Sequence, residues 1–231
     1  MGLSDLVLVA PRARVGATAA RMAAHARDVL DRRRVVPDLS MAVGDSTLVV
    51  GTTCREGGYR KGLARLEDVA GEIIATSRSG GVALVFGPED HGLENADLRL
   101  CQRLVRIPTS PAYASLNLAQ AVLLCGYEVA RALDRAVPAG RAQKKARGNR
   151  RDVDREMALP ATNREREELF AHLASALDRV GFLPAQNPEH ILHDVRSLFA
   201  RSGLTARDVR VWRGIARQII WAAGARPAAL T

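Results

Sequence analysis

The stretch VFGPEDHGL (residues 85–93) runs a strand-like Val-Phe into Gly-Pro, two acids, a histidine, and a Gly-Leu that reads as a helix start. A strand-to-helix corner needs only a glycine or proline to turn. This one also carries two carboxylates and an imidazole. It is either an ordinary β-to-α connection or a loop whose peptide groups are displayed to hold a ligand. Two further segments have the same character: GTTCR (51–55) and IPTSPAYASLN (107–117), each following a short β-branched run. Open α/β sheets place ligands at the carboxyl ends of their strands. Glycine lets a ligand approach the backbone, proline stiffens the loop, and Ser115 is positioned to cap the helix that follows. Three such loops converging would form a pocket for a flat, polar, neutral-to-cationic molecule held mainly by main-chain groups.

Working outward, LVLVA (6–10), TLVVGT (47–52), VALVFG (82–87) and LVRIP (104–108) read as strands. Residues 17–34, 66–77, 92–101 and 115–133 read as helices, the last apolar nearly all round and so expected to be buried. Buried strands alternating with helices predict an α/β fold with a parallel sheet covered on both faces. Residues 134–160 then combine Pro, Gly and dense positive charge with few apolar positions and read as a solvated linker. Beyond it, Thr162 and Glu165 make a capping box. The helices that follow are amphipathic, with Leu169, Leu173, Leu177, Ile191, Leu198, Phe199, Ile215 and Ile219 expected to face inward.

Among 231 residues, Lys and Arg number 34 against 25 Asp and Glu, giving a net charge of +9. Such a field favours polyanions, nucleic acid first, and an Arg excess favours bidentate phosphate contacts. A biased genome also inflates Arg and Ala, so charge alone leaves RNA binding an even choice. Aromatic residues make up only 4%, so contact through phosphates and shape is expected, and reading of unstacked bases is not. No apolar run approaches a membrane span, and the start lacks a signal-peptide pattern; a cytoplasmic location follows. Cys54, Cys101 and Cys125 fit no zinc spacing, and His190 with His193 lacks a third ligand, so no metal is expected.

Taken together, LVFGPEDHGL (84–93) and LVRIPTSPAYASLNLAQAV (104–122) resemble the second and third signature motifs of the SpoU/TrmH-like branch of the SPOUT methyltransferases. LVVGTTCR, ELFAHLASALDRVGF, RSLFAR and RGIARQ further resemble the bacterial tRNA ribose 2′-O-methyltransferases of TrmJ type. That resemblance implies a parallel sheet with a C-terminal trefoil knot over residues 1–135, a basic linker over 136–160 and a helical extension over 161–231. It implies a homodimer that binds S-adenosylmethionine in the knot, without a metal, and methylates ribose 2′-hydroxyls of RNA, most often in the tRNA anticodon loop. Carried over by position, the cofactor contacts fall on Thr52, Thr53, Cys54, Gly87, Ile107, Ala114, Ser115 and Leu116. Glu89, Ser115 and Asn117 fall at the catalytic positions, and Arg55, Lys144, Lys145, Arg147, Arg150 and Arg151 are the phosphate-contacting candidates. Plain core packing is the competing reading for Ile107 and Leu116, and a hydrogen bond in the first helical turn is the competing reading for Asn117.

One family motif is missing. An Asn-x-Gly-x-x-x-Arg on the first helix, whose Arg is thought to activate the ribose hydroxyl, occurs nowhere in the 231 residues, and MGLSDLVLVAPR resembles the segment just after it. The expectation is a start codon assigned too far downstream. The rival functions are an RNA-binding homologue without catalysis, ribosomal RNA as the substrate, and an unrelated nucleotide-binding α/β enzyme. The last needs a glycine-rich phosphate loop after the first strand, for which APRARVG is a poor match.

Overall fold

The structure is a computed structural model and describes residues 1–55, 57, 62–110, 113, 115–136 and 159–224. Four parallel strands form the main sheet: β3 (Ser46–Thr52), β4 (Ala64–Arg65), β5 (Gly81–Val85) and β6 (Arg103–Arg106), in the order β4-β6-β3-β5. Two shorter strands, β1 (Val7–Val9) and β2 (Arg34–Val36), pair in parallel as a separate sheet. The single sheet expected from sequence is therefore two. The partner of β1 starts at Arg34, the last residue of the span 17–34 read as one helix, and runs on into Val35 and Val36, which were not read as a strand. That span is α1 (Ala17–Ala23), a 3-10 turn and α2 (Arg27–Asp31), broken where Ala24 takes φ 45°. The β-branched pair Val35 and Val36, ahead of Pro37, then extends the chain. Asp38 caps the next helix, α3 (Leu39–Val43), its carboxylate accepting from the Met41 amide at 2.9 Å.

Strand periodicity divides the core. On β3, Leu48 and Val50 face one side and Val49 the other, all buried. The first side is covered by α4 (Leu66–Ser77) and α6 (Leu118–Ala136) through Leu66, Val69, Ile73, Cys125 and Val129. The second is covered by α3, the 87–93 loop and α5 (Asn95–Arg99), through Leu39, Val43, Leu93 and Leu98. α6 departs from its sequence reading. Cys125, Gly126 and Val129 are buried, but Val122, Leu123, Leu124 and Tyr127 are exposed. An apolar helix satisfies one sheet face with a single stripe, and the rest of its surface is left outward.

The C-terminal helices are α7 (Asn163–Arg179), α8 (Pro188–Ser202) and α9 (Ala206–Gly224). α7 starts at the expected box: the Thr162 hydroxyl accepts from the Glu165 amide at 3.3 Å, and the Glu165 carboxylate accepts from the Thr162 amide at 2.8 Å. Leu169, Leu173, Ala176, Leu204, Val209 and Ala216 form a core of their own, with Phe199 and Ile219 against it. A side chain buried as fully as Leu169 contributes about 1.5–3 kcal/mol. Leu198 and Ile215, expected inside, are exposed, because α7 to α9 cover one stripe of each helix and these two sit beside it.

A polar joint ties this unit to the sheet. The Arg166 guanidinium donates to the Thr47 carbonyl at 3.1 Å and to the Ala161 carbonyl at 2.6 Å. The Gln102 carboxamide accepts from the Val49 amide at 2.8 Å and donates to Asn163 Oδ1 at 3.0 Å. Burial lowers the Arg166 pKa to about 10 against the support of Glu167 and Glu165.

Candidate functional site

The three loops singled out from sequence meet at the carboxyl ends of β3, β5 and β6. The register of β3 with β5 and with β6 brings Gly51 level with Val85 and Thr52 level with Val105. The strand ends are then cross-tied. Thr52 donates its hydroxyl to the Val85 carbonyl at 3.1 Å, and the Thr53 amide donates to the Val105 carbonyl at 3.0 Å. The 87–93 loop folds back on itself, the Gly92 amide donating to the Pro88 carbonyl at 2.8 Å with Gly92 at φ 67°. Gly87 lies inside that fold: a Cβ there would stand 2.2 Å from the Gly92 carbonyl carbon and 2.3 Å from the Leu93 amide nitrogen. Only glycine permits this closure.

Between the loops lies a cavity of about 290 Å³. Of the residues carried over by position, Thr52, Thr53, Cys54, Arg55, Gly87, Glu89, Ile107, Ser115 and Leu116 line it. Ala114, Lys144, Lys145, Arg147, Arg150 and Arg151 lie outside the described residues, as does most of the linker at 136–160. Asn117 is not in the wall. Its side-chain oxygen accepts from the Ala119 amide at 2.9 Å and starts α6, so the helix begins at Leu118 under Asn117 and not under Ser115 as expected. Phe86, Asp90, His91, Leu118 and Ala121 also line the cavity and had been given no role from sequence. Leu118 and Ala121 could have been found from the helical spacing that follows Asn117. Asp90 and His91 are in the opening motif itself, but nothing local says that they turn inward.

The wall is chemically mixed. Apolar surface from Phe86, Ile107, Leu116 and Leu118 suits a flat ring, and strand-end peptide groups line the same space. Glu89 and Asp90 add negative charge at one side. Partial desolvation pushes the Asp90 carboxyl up, but the hydrogen bond from Arg12 and the charges of His91 and Arg12 outweigh it and hold it below its ordinary value. Such a site suits an uncharged or cationic ligand with an aromatic portion. Among the described residues no group of His, Cys, Asp and Glu is arranged to hold a metal.

Comparison with known proteins identifies this architecture. Residues 1–127 match the SpoU rRNA methylase family, and residues 164–228 match the C-terminal domain of the tRNA methyltransferase TrmJ. The chain belongs to the SpoU methylase family. A relative from Pseudomonas aeruginosa, a tRNA (cytidine/uridine/adenosine-2′-O-)-methyltransferase TrmJ, is 36% identical over 216 residues, 93% of this chain and 82% of its own length. TrmJ of Salmonella choleraesuis is 32% identical over 219 residues, 95% of this chain and 86% of its own. The crystal structure of TrmJ from Z. mobilis superimposes with a TM-score of 0.73 at 33% identity, covering 94% of this chain and 88% of that one. As a SpoU family member, the protein places its cavity at the motifs that first suggested the family.

Proposed function

We propose that this protein is an S-adenosylmethionine-dependent ribose 2′-O-methyltransferase of RNA, acting in the cytoplasm on tRNA, in the anticodon loop. The observation that carries this reading is the convergence of residues 52–55 and 87–93 with Ile107, Ser115 and Leu116 on one cavity, in a chain whose two parts match a SpoU methylase and a TrmJ C-terminal domain. The relatives named above act on tRNA 2′-hydroxyls, which favours tRNA over ribosomal RNA.

The residues present fit the methyl donor. Phe86, Ile107, Leu116 and Leu118 would hold its adenine, the ends of β3 and β6 would offer peptide groups to its polar edges, and Glu89 with Asp90 would favour its positive charge. When bound, S-adenosylmethionine supplies a methyl carbon already activated by the adjoining sulfonium. The chain's own task is then to orient the ribose hydroxyl, keep water from the reacting atoms and accept a proton. Ser115 lines the cavity and would offer its hydroxyl there, while Asn117 acts through the start of α6 and so through the loop that carries Ser115.

This reading includes a trefoil knot in the loops at the cavity, a methyltransferase domain over residues 1–135, a basic linker over 136–160 and an RNA-contacting helical extension over 161–231. It includes a homodimer. The outward apolar face of α6, with Leu123 55% exposed and Tyr127 53%, supports such pairing. Mass spectrometry of tRNA and rRNA nucleosides from a deletion strain tests the function. One lost 2′-O-methyl mark in tRNA is expected. A mark lost from rRNA reassigns the substrate, and cofactor binding without any lost mark reduces the protein to an RNA binder.

A further inference from the structure

The outward face of α9 carries a pattern that packing does not call for. At 3.6 residues per turn, Arg207, Arg210, Gly214, Arg217 and Trp221 fall within an arc of about 80°, opposite the buried Val209 and Ala216. The three arginines and Trp221 are exposed. Gly214 leaves a bare step of backbone between Arg210 and Arg217, since a Cβ there would meet nothing within 4 Å. The one acid of α9, Asp208, lies off this arc, its carboxylate accepting from the Thr205 amide at 2.9 Å and the Thr205 hydroxyl at 2.7 Å. Arg213, on the flank, is paired with Glu168 at 2.6 Å. Arg207, Arg210 and Arg217 make no hydrogen bond or ion pair among the described residues. The two tryptophans divide in the same way. Trp212 meets Phe199 edge-on, ring centroids 5.2 Å apart, and so closes the core of the helical unit. Trp221 is 66% exposed and stacks on no ring among the described residues. α9 starts beside the polar joint, where the Ala161 amide donates to the Leu204 carbonyl at 2.8 Å. From Arg207 to Trp221 the stripe then runs about 21 Å.

We propose that this stripe is the face by which the helical unit docks RNA, with Arg207, Arg210 and Arg217 on backbone phosphates and Trp221 stacked on one unpaired base at the far end. This rests on the functional reading above. Guanidinium groups without carboxylate partners suit bidentate contact with phosphate oxygens. An indole standing in water gains by being covered, and every base offers a flat face for it. The 4% aromatic content argues against a platform of several rings, and a single ring ending a row of arginines takes a single base. A second copy of the chain is a poor occupant, because a twofold contact would set the same three arginines against one another.

The test uses the full chain and bulk tRNA, with affinity measured over a range of salt for wild type, Trp221→Ala, Trp221→Phe and the triple variant Arg207→Gln, Arg210→Gln, Arg217→Gln. Trp221→Ala is expected to weaken binding about 5- to 150-fold with the salt slope unchanged, and Trp221→Phe to restore most of the loss. The triple variant should flatten the slope of log affinity against log salt by about 0.7–0.9 for each arginine. In Trp212→Phe, which keeps a ring against Phe199, the fluorescence of Trp221 should be quenched by tRNA and much less by a fully paired RNA duplex. Melting temperature and cofactor affinity should stay at wild-type values in the Trp221 and arginine variants, whose side chains stand outside the core and the cavity. Wild-type tRNA affinity in Trp221→Ala, an unchanged slope in the triple variant, or equal quenching by the duplex overturns the proposal. So does a wild-type chain that binds vesicles of anionic phospholipid through these residues while their replacement leaves tRNA binding intact, which gives the face to a membrane surface. Methylation of no RNA by the wild type overturns the functional reading; variants that bind tRNA as a methylating wild type does overturn only the docking face.

Discussion

Gly87 is where a single atom decides whether the cavity exists. Adding a Cβ drives it into the backbone of Gly92 and Leu93, and backbone cannot swing aside as a long side chain can. Gly87→Ala is expected to weaken cofactor affinity by at least about tenfold, a loss of about 1.4 kcal/mol or more, measured by calorimetry. Strand and helix content by circular dichroism should be unchanged. The cysteines offer a second measurement. Cys54 is exposed at the cavity wall. Burial, aided by the Asp97 charge, pushes the Cys101 thiol up to about 12, and burial alone pushes Cys125 up to about 11. A thiol reagent at pH 8 should label one cysteine quickly, and S-adenosylmethionine should slow that labelling. The same shifts set an alkaline limit. Each folded value lies above the ordinary 9.0, so this contribution to stability is complete below pH 9 and is lost as pH rises towards 11 and 12. The melting temperature should fall over that interval, and less so in Cys125→Ala.

At the scale of elements, the joint between α7 and β3 is the part most exposed to single substitutions. Arg166→Ala leaves the Thr47 and Ala161 carbonyls without their guanidinium donor, and about 2–4 kcal/mol of destabilisation is expected from denaturant unfolding. Thr162→Ala removes one cap hydrogen bond and should cost about 1 kcal/mol by the same measurement. The second effect was legible in sequence and the first was not. A capping box lies within four residues, whereas Arg166 and Thr47 are joined across more than a hundred positions that no local pattern connects. The strands at 47–52, 82–87 and 104–108 and the helix at 66–77 were legible for the same local reason: their periods and turn residues are self-contained. The break at Ala24 was not, since Ala is the strongest helix former and only tertiary context puts it at positive φ. α6 was misread because an apolar surface looks the same in sequence whether the sheet or another molecule is to cover it. In the cavity, residues held by backbone position could be assigned by motif.

For the whole molecule, if the protein acts on tRNA as proposed, the charge of +9 predicts binding that weakens steeply with salt. Log affinity for tRNA against log salt should be linear. Replacing Lys144, Lys145, Arg147, Arg150 and Arg151 by Gln should flatten the slope by about 0.7–0.9 for each phosphate contact removed. Light scattering should find a dimer, and Leu123→Glu, which puts a charge on the outward face of α6, should shift it towards monomer while leaving the fold intact. If the helical unit contacts RNA as proposed, the anchorage of α7 predicts a minimum size for a tightly bound substrate. Arg166 grips Thr47 near the first residue of β3, and the cavity opens beyond Thr52 at its last. The helical unit is thus moored at the opposite rim of the sheet from the chemistry, with a seven-residue strand of about 20 Å between the two. On that reading, an oligonucleotide of two or three residues should fill the catalytic end without reaching the far mooring. A strand long enough to touch both would be measured against the protein like a rod against a gauge, and fragments of graded length should gain affinity in a step.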